Sequence, residues 1–147
     1  MEGAYIPEQP LNVVPTTPTD LIADDTGKRL LVGAGMDWNG PGGVFVNAQM
    51  AVDHIDFDED RLVRPETDSI YTIKLRKSFK NDLFKLNGEV LGSAVTGDGA
   101  VSADISYDLT DHIFVSFGTN LAFGNAEGTF GQFKNENRVW TRVRASF

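Results

Sequence analysis

Hydrophobic and polar residues alternate along most of the chain with a period of two, which is the pattern of β-strands with one apolar and one polar face. From residue 28 onward, no stretch repeats apolar residues at helical spacing over three turns. Turn-forming residues bound seven candidate strands: 28–38, 43–55, 69–79, 83–95, 100–109, 112–123 and 137–147. The pattern therefore predicts an all-β segment over 28–147.

The first 27 residues depart from this pattern. Pro7, Pro10, Pro15 and Pro18 are spaced so closely that neither a helix nor a hydrogen-bonded strand is expected to run through them. We predict an extended Pro-rich loop over 1–27. The start also lacks the basic flank and the apolar stretch of a signal peptide. We therefore expect either a cytosolic protein or a piece of a longer chain.

Strand lengths and connections distinguish two all-β architectures. Most candidate strands have ten to thirteen residues, whereas strands of soluble domains have about 5 or 6 and strands that cross a bilayer about 9 to 11. The tight connections 39–42, 80–82 and 110–111 all fall at one end, as the periplasmic turns of membrane barrels do. We predict an antiparallel, up-and-down transmembrane β-barrel. A soluble sandwich, whose strands also alternate, is the alternative.

Aromatic residues on the apolar face fall near the ends of the predicted strands. In a barrel they would form two belts at the membrane interfaces. The predicted belt residues are Trp38, Phe79, Phe84, Tyr107 and Phe147 at the periplasmic rim, and Tyr71 and Phe123 at the outer rim. A soluble sandwich offers no reason for such belts.

The polar face is where function is expected to concentrate. The predicted lumen-lining residues are Lys74, Arg76, Lys85, Glu89, Asp104, Asp108, Arg138, Arg142 and Arg144. Opposed charges in a lumen would order water and select solutes by charge. The alternative is that they pair across neighbouring strands inside a plugged, non-conducting lumen. The side chains expected beside Arg142 and Arg144 on the preceding strand are small and neutral. We therefore expect these two arginines to favour anions.

Composition narrows the classes of function. The 147 residues include 13 basic and 21 acidic ones, which gives a net charge of −8. This balance argues against nucleic acid as a partner, because binding to phosphates needs a basic face. The absence of Cys excludes disulfides, zinc fingers and thiol catalysis. No apolar run is long enough for a membrane-spanning helix.

Catalytic and metal-binding patterns are weak. His54 and His112 are predicted at opposite rims, about a bilayer thickness apart, and no G-x-S-x-G motif occurs. We therefore predict that the protein is not an enzyme. The acidic run at 56–60 lacks the spacing of a calcium loop and is predicted to be a solvated loop. We predict no metal and no cofactor.

The C-terminal residues carry a resemblance to a known family. Alternating apolar residues before a final Phe147 resemble the last strand of Gram-negative outer-membrane barrels, whose terminal aromatic is part of the assembly signal. The segment TFGQFKNENRVW at 129–140, with RVR at 142–144, SYDLTD at 106–111 and LRKSF at 75–79, resembles a family of large porin-like outer-membrane proteins of unknown function. This resemblance implies that 28–147 is the C-terminal part of a larger barrel, or one chain of a composite barrel.

The resemblance also implies a role and partners. It implies a porin-like protein of the bacterial outer membrane that passes a solute across that membrane, with Phe147, Ala145 and Val143 as the assembly signal. The implied partners are outer-membrane lipid and lipopolysaccharide, the barrel-assembly machinery, and further β-strands from the same or another chain. Two alternatives remain open: a non-conducting barrel that anchors an outer-membrane complex, and a soluble all-β binding module.

Overall fold

A computed structural model describes residues 2–13, 23–57, 65–110, 112–126 and 128–146. In these residues eight β-strands form one antiparallel sheet, in which each strand pairs with the next along the chain. The strands are β1 (Glu2–Val13), β2 (Ala23–Gly40), β3 (Val44–Asp56), β4 (Thr67–Phe79), β5 (Phe84–Ser93), β6 (Gly99–Thr110), β7 (Ile113–Phe123) and β8 (Arg138–Ala145). Two short 3₁₀ turns, Pro41–Gly43 and Gly131–Phe133, follow β2 and β7. The all-β, antiparallel, up-and-down prediction is confirmed.

The predicted N-terminal loop is wrong wherever the structure describes it. The first described segment forms β1, and β2 begins at Ala23 instead of residue 28. The described sheet therefore has eight strands instead of seven, and residues 2–13 and 23–27 belong to it.

Proline is tolerated in β1 for two physical reasons. β1 is an edge strand, where a missing N–H need not break the pairing with the neighbouring strand. Its pairing with β2 also shifts between Ile6 and Gln9, at the position of Pro7. Pro15 and Pro18 lie outside the described residues.

The strand register confirms the predicted faces. Ile105 of β6 pairs with Leu86 of β5 and with Phe117 of β7, so apolar positions of three strands form one row. The next residue, Ser106, pairs with Lys85 on the opposite face. Because directly paired residues share a face, the apolar and polar sides continue across the sheet.

The tight connections share one end of the sheet, as predicted; we call it the turn end. It contains Pro41–Gly43, the turn at 80–83 and the connection after Thr110. Residues 80–82 all have positive φ, and the amides of His112 and Ile113 donate to Thr110 Oγ1 at 3.2 and 3.1 Å. Asp111 lies outside the described residues. The β5–β6 turn and the described part of the β7–β8 connection lie at the opposite end, the loop end.

The part of the chain that the structure describes buries few hydrophobic side chains. Among the described residues only Leu11 and Ile55 are buried, with Phe57 packed partly against them near the loop end. Met36 and Phe117 on the apolar face are 68% and 55% exposed. Within the described residues, the apolar face is therefore an outer surface of a single sheet.

Candidate functional site

Aromatic side chains form a row at the turn end of the apolar face. Phe79 pairs with Phe84, and Phe84 pairs with Tyr107 at a ring-centroid distance of 4.5 Å. Trp38 is half exposed near the same end, and its ring covers Gly40, where a Cβ would lie 2.3 Å from the indole. These four aromatic residues therefore lie near the end for which they were predicted.

A second aromatic row lies at the loop end of the same face. Tyr71 pairs with Gly92, Gly92 with Gly99, and Gly99 with Phe123. The two rings cover the glycines, because a Cβ on Gly92 would lie 2.8 Å from the Tyr71 hydroxyl and one on Gly99 2.6 Å from Phe123 Cζ. The two predicted groups of aromatic residues thus occupy opposite ends of the apolar face.

The register places all nine predicted lumen-lining residues on the other face, which we call the polar face. They occupy four cross-strand rows: Lys74, Glu89, Ser102, Asn120 and Arg138; Arg76, Asn87, Asp104, Gly118 and Trp140; Lys85, Ser106, Ser116 and Arg142; and Asp108, Phe114 and Arg144. The predicted residues therefore converge on one surface.

Part of this charge is compensated between neighbouring strands. Lys74 Nζ lies 3.2 Å from Glu89 Oε1, and Lys85 Nζ donates to Asp108 Oδ2 at 2.8 Å. Asp104 accepts a hydrogen bond of 2.9 Å from the side-chain amide of the asparagine opposite it on β5. These three carboxylates of β5 and β6 each have a partner on the neighbouring strand, as expected for a plugged lumen whose charges pair across strands.

The arginines of β8 are placed differently. Among the described residues, Arg138, Arg142 and Arg144 form no salt bridge with a carboxylate. The Arg142 guanidinium lies 5.2 Å from the centroid of the Trp140 ring, and that of Arg144 lies 5.8 Å from the Phe114 ring. Stacking on an aromatic ring orients a guanidinium without neutralising it.

An open cleft of about 350 Å³ lies along β8. It is lined by Arg138, Trp140, Thr141 and Arg142, with Asn120 of β7. With its amide oriented to match its neighbours, Asn120 accepts a hydrogen bond of 3.2 Å from Arg138 Nε. Two guanidinium groups thus flank an indole beside a neutral strand, an arrangement suited to an anion.

The loop-end half of the polar face has smaller side chains. Gly33, Gly35 and Ala51 border a shallow groove of about 360 Å³. Nearer the loop end, Arg29 donates two hydrogen bonds, of 2.7 and 2.8 Å, to the buried Asp53. Of the β8 arginines, Arg142 and Arg144 lie nearer the turn end, whereas Arg138 begins the strand at its loop end.

A buried carboxylate at the loop end is not among the site residues predicted from the sequence. Asp98, between β5 and β6, has no exposed surface. It accepts hydrogen bonds from the Thr96 hydroxyl and from the amides of Phe130 and Gly131, the last two at 2.5 and 3.1 Å. Asp98 thus joins the β5–β6 turn to the β7–β8 connection. Its position between two glycines indicates a turn in the sequence, but not a partner more than thirty residues away.

A second carboxylate extends this network. Ser93 Oγ donates to Asp68 Oδ1 at 2.5 Å and accepts from the amides of Val95 and Thr96 at 3.2 and 3.0 Å. The first residues of β4, the β5–β6 turn and the β7–β8 connection are therefore linked at the loop end.

The Asp98 network is expected to weaken in acid. Burial disfavours the charged carboxylate, but hydrogen bonds from Thr96, Phe130 and Gly131 outweigh that effect and hold the pKa of Asp98 below its ordinary value. The stabilisation that ionised Asp98 gives the network is therefore complete above the unfolded-state pKa and is lost as pH falls through the lower folded-state pKa. Relative to intrinsic rates, hydrogen exchange of the Phe130 and Gly131 amides should stay slow at neutral pH and accelerate only below about pH 4. Full protection at about pH 2 would contradict this.

Two of the three predicted assembly-signal residues can be placed. Val143 and Ala145 lie on the apolar face of β8, paired with Val115 and Ile113. Phe147, predicted both for this signal and for the turn-end aromatic belt, lies outside the described residues.

Acidic and histidine side chains do not gather into a metal-binding or catalytic group in the described residues. The described residues contain no group of three or more His, Asp or Glu side chains placed to hold a metal ion. His54 Nδ1 lies 2.8 Å from Thr67 Oγ1 at the loop end, whereas His112 lies at the turn end, so the predicted separation of the histidines is confirmed. Most of the acidic run at 56–60 lies outside the described residues.

In the described part of the chain, no helix has the length and apolar character needed to cross a membrane. Comparisons with models of protein families, with curated proteins and with solved structures found no match.

Proposed function

We propose that the chain forms part of the wall of a porin-like outer-membrane β-barrel, and that solutes pass along its polar face. One observation supports this most: a single sheet has an exposed apolar face with two aromatic rows and charged side chains on the opposite face. Transmembrane barrels alternate lipid-facing and lumen-facing residues in this way. On this proposal the chain resides in the outer membrane of a Gram-negative bacterium.

The spacing of the aromatic rows suits a bilayer. Tyr71 and Phe79 lie in the two rows on β4, and the eight steps between them span about 26 Å of strand. A tilt of about 40° reduces this to a height of roughly 20 Å, near the roughly 25 Å apolar band of membrane barrels. The strand between the rows therefore has about the length that crossing requires.

A soluble binding module is less well supported. Its apolar face would have to be a core covered by a second layer. In the described residues the buried hydrophobic side chains are Leu11 and Ile55, whereas Phe117 and Val139 of the apolar face are largely exposed. An exposed apolar surface of this extent favours contact with lipid.

A non-conducting anchoring barrel is a second candidate, and a specific observation favours it. The pairs Lys74–Glu89 and Lys85–Asp108 are what side chains in a plugged lumen would form. The arginines of β8 and the open cleft between them favour a passage instead, since packed interiors do not leave guanidinium groups without carboxylates.

The sheet edges call for partner strands. Within the described residues, β1 and β8 each pair on one side only. An unpaired edge cannot face lipid, because its N–H and C=O groups would lack hydrogen-bond partners. We therefore infer that further strands, from the same or another chain, complete the barrel. Lipid and lipopolysaccharide would cover the apolar face, and the assembly machinery would recognise Val143, Ala145 and Phe147.

Conductance tests the proposed function. The full-length protein, purified in detergent and added to a planar bilayer, is expected to produce stepwise conductance increases. Inserted protein that conducts nothing, with insertion shown by heat-modifiable gel mobility, would favour the anchoring barrel. A sharp monomer in detergent-free size exclusion, with cooperative unfolding, would favour the soluble module and contradict a membrane role.

A further inference from the structure

We propose that residues 128–133 fold over the lumen side of the sheet at its loop end, and that Asp98 holds them there, so that this segment limits the size of the solutes that pass. This role of Asp98 rests on the proposed passage function. It makes Asp98 a positioning residue, acting through the backbone that it binds.

Asp98 belongs to the polar face. Its carbonyl accepts the backbone N–H of Ser93 at 2.9 Å, which continues the β5–β6 pairing by one residue beyond Gly92 and Gly99. Ser93 pairs on its other side with Ile70, which alternates with Thr72 and Lys74 along β4. Because cross-strand partners share a face, the Asp98 side chain projects toward the lumen side.

The carboxylate lies beneath the segment. Asp98 is fully buried, and its Oδ2 accepts hydrogen bonds from two consecutive amides, Phe130 N at 2.5 Å and Gly131 N at 3.1 Å. The Thr96 hydroxyl donates to Oδ1. A buried charged acceptor with several donors holds backbone more strongly than neutral hydrogen bonds do.

Glycines allow the segment to approach this closely. A Cβ on Gly128 would lie 2.4 Å from Asp98 Oδ2, and one on Gly124 would lie 2.4 Å from Asp98 Cβ. Gly124 also has a φ of +106°, which favours glycine. The close packing on both sides of Asp98 defines one position for the segment against the sheet.

Internal hydrogen bonds keep the segment compact. Phe133 N donates to Phe130 O at 3.0 Å, and Lys134 N donates to Gly131 O at 3.1 Å. Residues Gly131–Phe133 form a 3₁₀ turn. A compact segment on the lumen side occupies cross-section that a loop projecting into solvent would leave open.

Asp98→Ala in the full-length protein tests both parts of the proposal. We expect a rise in single-channel conductance and swelling of proteoliposomes by larger sugars than the wild type admits. Trypsin cleavage after Lys134 should accelerate about 10- to 100-fold, because cleavage needs a local opening that the buried charged hydrogen bonds oppose. Glu66→Ala is the matched control, since it removes an exposed carboxylate at the same end and should change neither measurement.

The outcomes distinguish the two parts of the proposal, namely that Asp98 holds the segment and that the segment limits solute size. Unchanged cleavage after Lys134 would show that Asp98 does not hold the segment, and faster cleavage with an unchanged sugar limit would show that the segment does not narrow the passage; either result overturns the proposal. If neither protein conducts, the passage function fails and the size limit fails with it, while the cleavage rate still tests the hold of Asp98. If Asp98→Ala does not insert, Thr96→Val must shift both measurements in the same direction, by a smaller amount. The absence of any shift in Thr96→Val would then overturn the proposal.

Discussion

Arginine in place of Ala103 is expected to destabilise the membrane-inserted protein by about 2–4 kcal/mol, the cost of a lipid-facing arginine at the bilayer midplane. Ala103 lies on the apolar face of β6, four residues from Gly99 in the loop-end aromatic row and four from Tyr107 in the turn-end row. It is therefore midway between the rows. Losing an alanine methyl removes little apolar area, so the change in the free energy of unfolding reports on the charge.

Ser102→Arg is the matched variant for this prediction. Ser102 precedes Ala103 on β6 but faces the polar side, opposite Glu89. A guanidinium there gains a carboxylate neighbour, so we expect a much smaller change in the free energy of unfolding. Urea unfolding from liposomes measures both variants. A greater cost for Ser102→Arg would mean that the two faces are inverted and that the apolar side is a covered core.

Replacing Arg142 and Arg144 together by Gln is expected to shift the channel toward cations. The described residues offer these arginines no salt-bridge partner, and the β7 residues paired with them are Ser116 and Phe114. A unit charge about 4 Å from an ion contributes about 1 kcal/mol in water, and salt in the lumen screens part of it, so two charges should change the anion-to-cation permeability ratio at least on the order of tenfold. Reversal potentials under a salt gradient measure this ratio.

Lys77→Gln with Lys80→Gln is the control for the arginine pair. These lysines also lie over aromatic rings, at 4.9 Å from Phe79 and 5.7 Å from Phe84, but the rings belong to the apolar face. The control removes the same charge and should leave selectivity unchanged. If the arginine variant kept its selectivity but lost much of its thermal stability, the arginines would serve packing, and the anchoring barrel would be the better account.

The faces of the sheet could be predicted because side chains of a strand alternate strictly between its two sides. Once Ile105 is assigned to the apolar face, Asp104 and Ser106 must lie on the other, whatever the register. The positions of Tyr71 and Phe79 near opposite ends of one strand followed from the turn residues that bound it. Local patterns were therefore enough for the two faces of β2 to β8 and for the polar surface.

Features that depend on neighbours distant in sequence could not be predicted in this way. Pro7 and Pro10 argue against a strand locally, but an edge position tolerates them, and edge position is a property of the whole sheet. The pairing of Lys85 with Asp108 depends on register between β5 and β6. The hydrogen bonds of the Asp98 carboxylate come from a connection that follows the next-but-one strand end, after β7. The sequence alone therefore indicates only the turn that contains Asp98.

Fluorescence quenching of the two tryptophans tests the central claim most directly, because Trp38 lies on the apolar face and Trp140 on the polar face. In liposomes, Trp140→Phe leaves Trp38 as the only tryptophan of the 147 residues, and Trp38→Phe leaves Trp140. We predict that lipids brominated near the headgroup quench Trp38, which belongs to the aromatic residues at one end of the sheet, and that they leave Trp140 unaffected. Acrylamide in the aqueous phase should quench Trp140. Quenching of Trp140 but not of Trp38 by brominated lipid would contradict the assignment of the apolar face to the membrane.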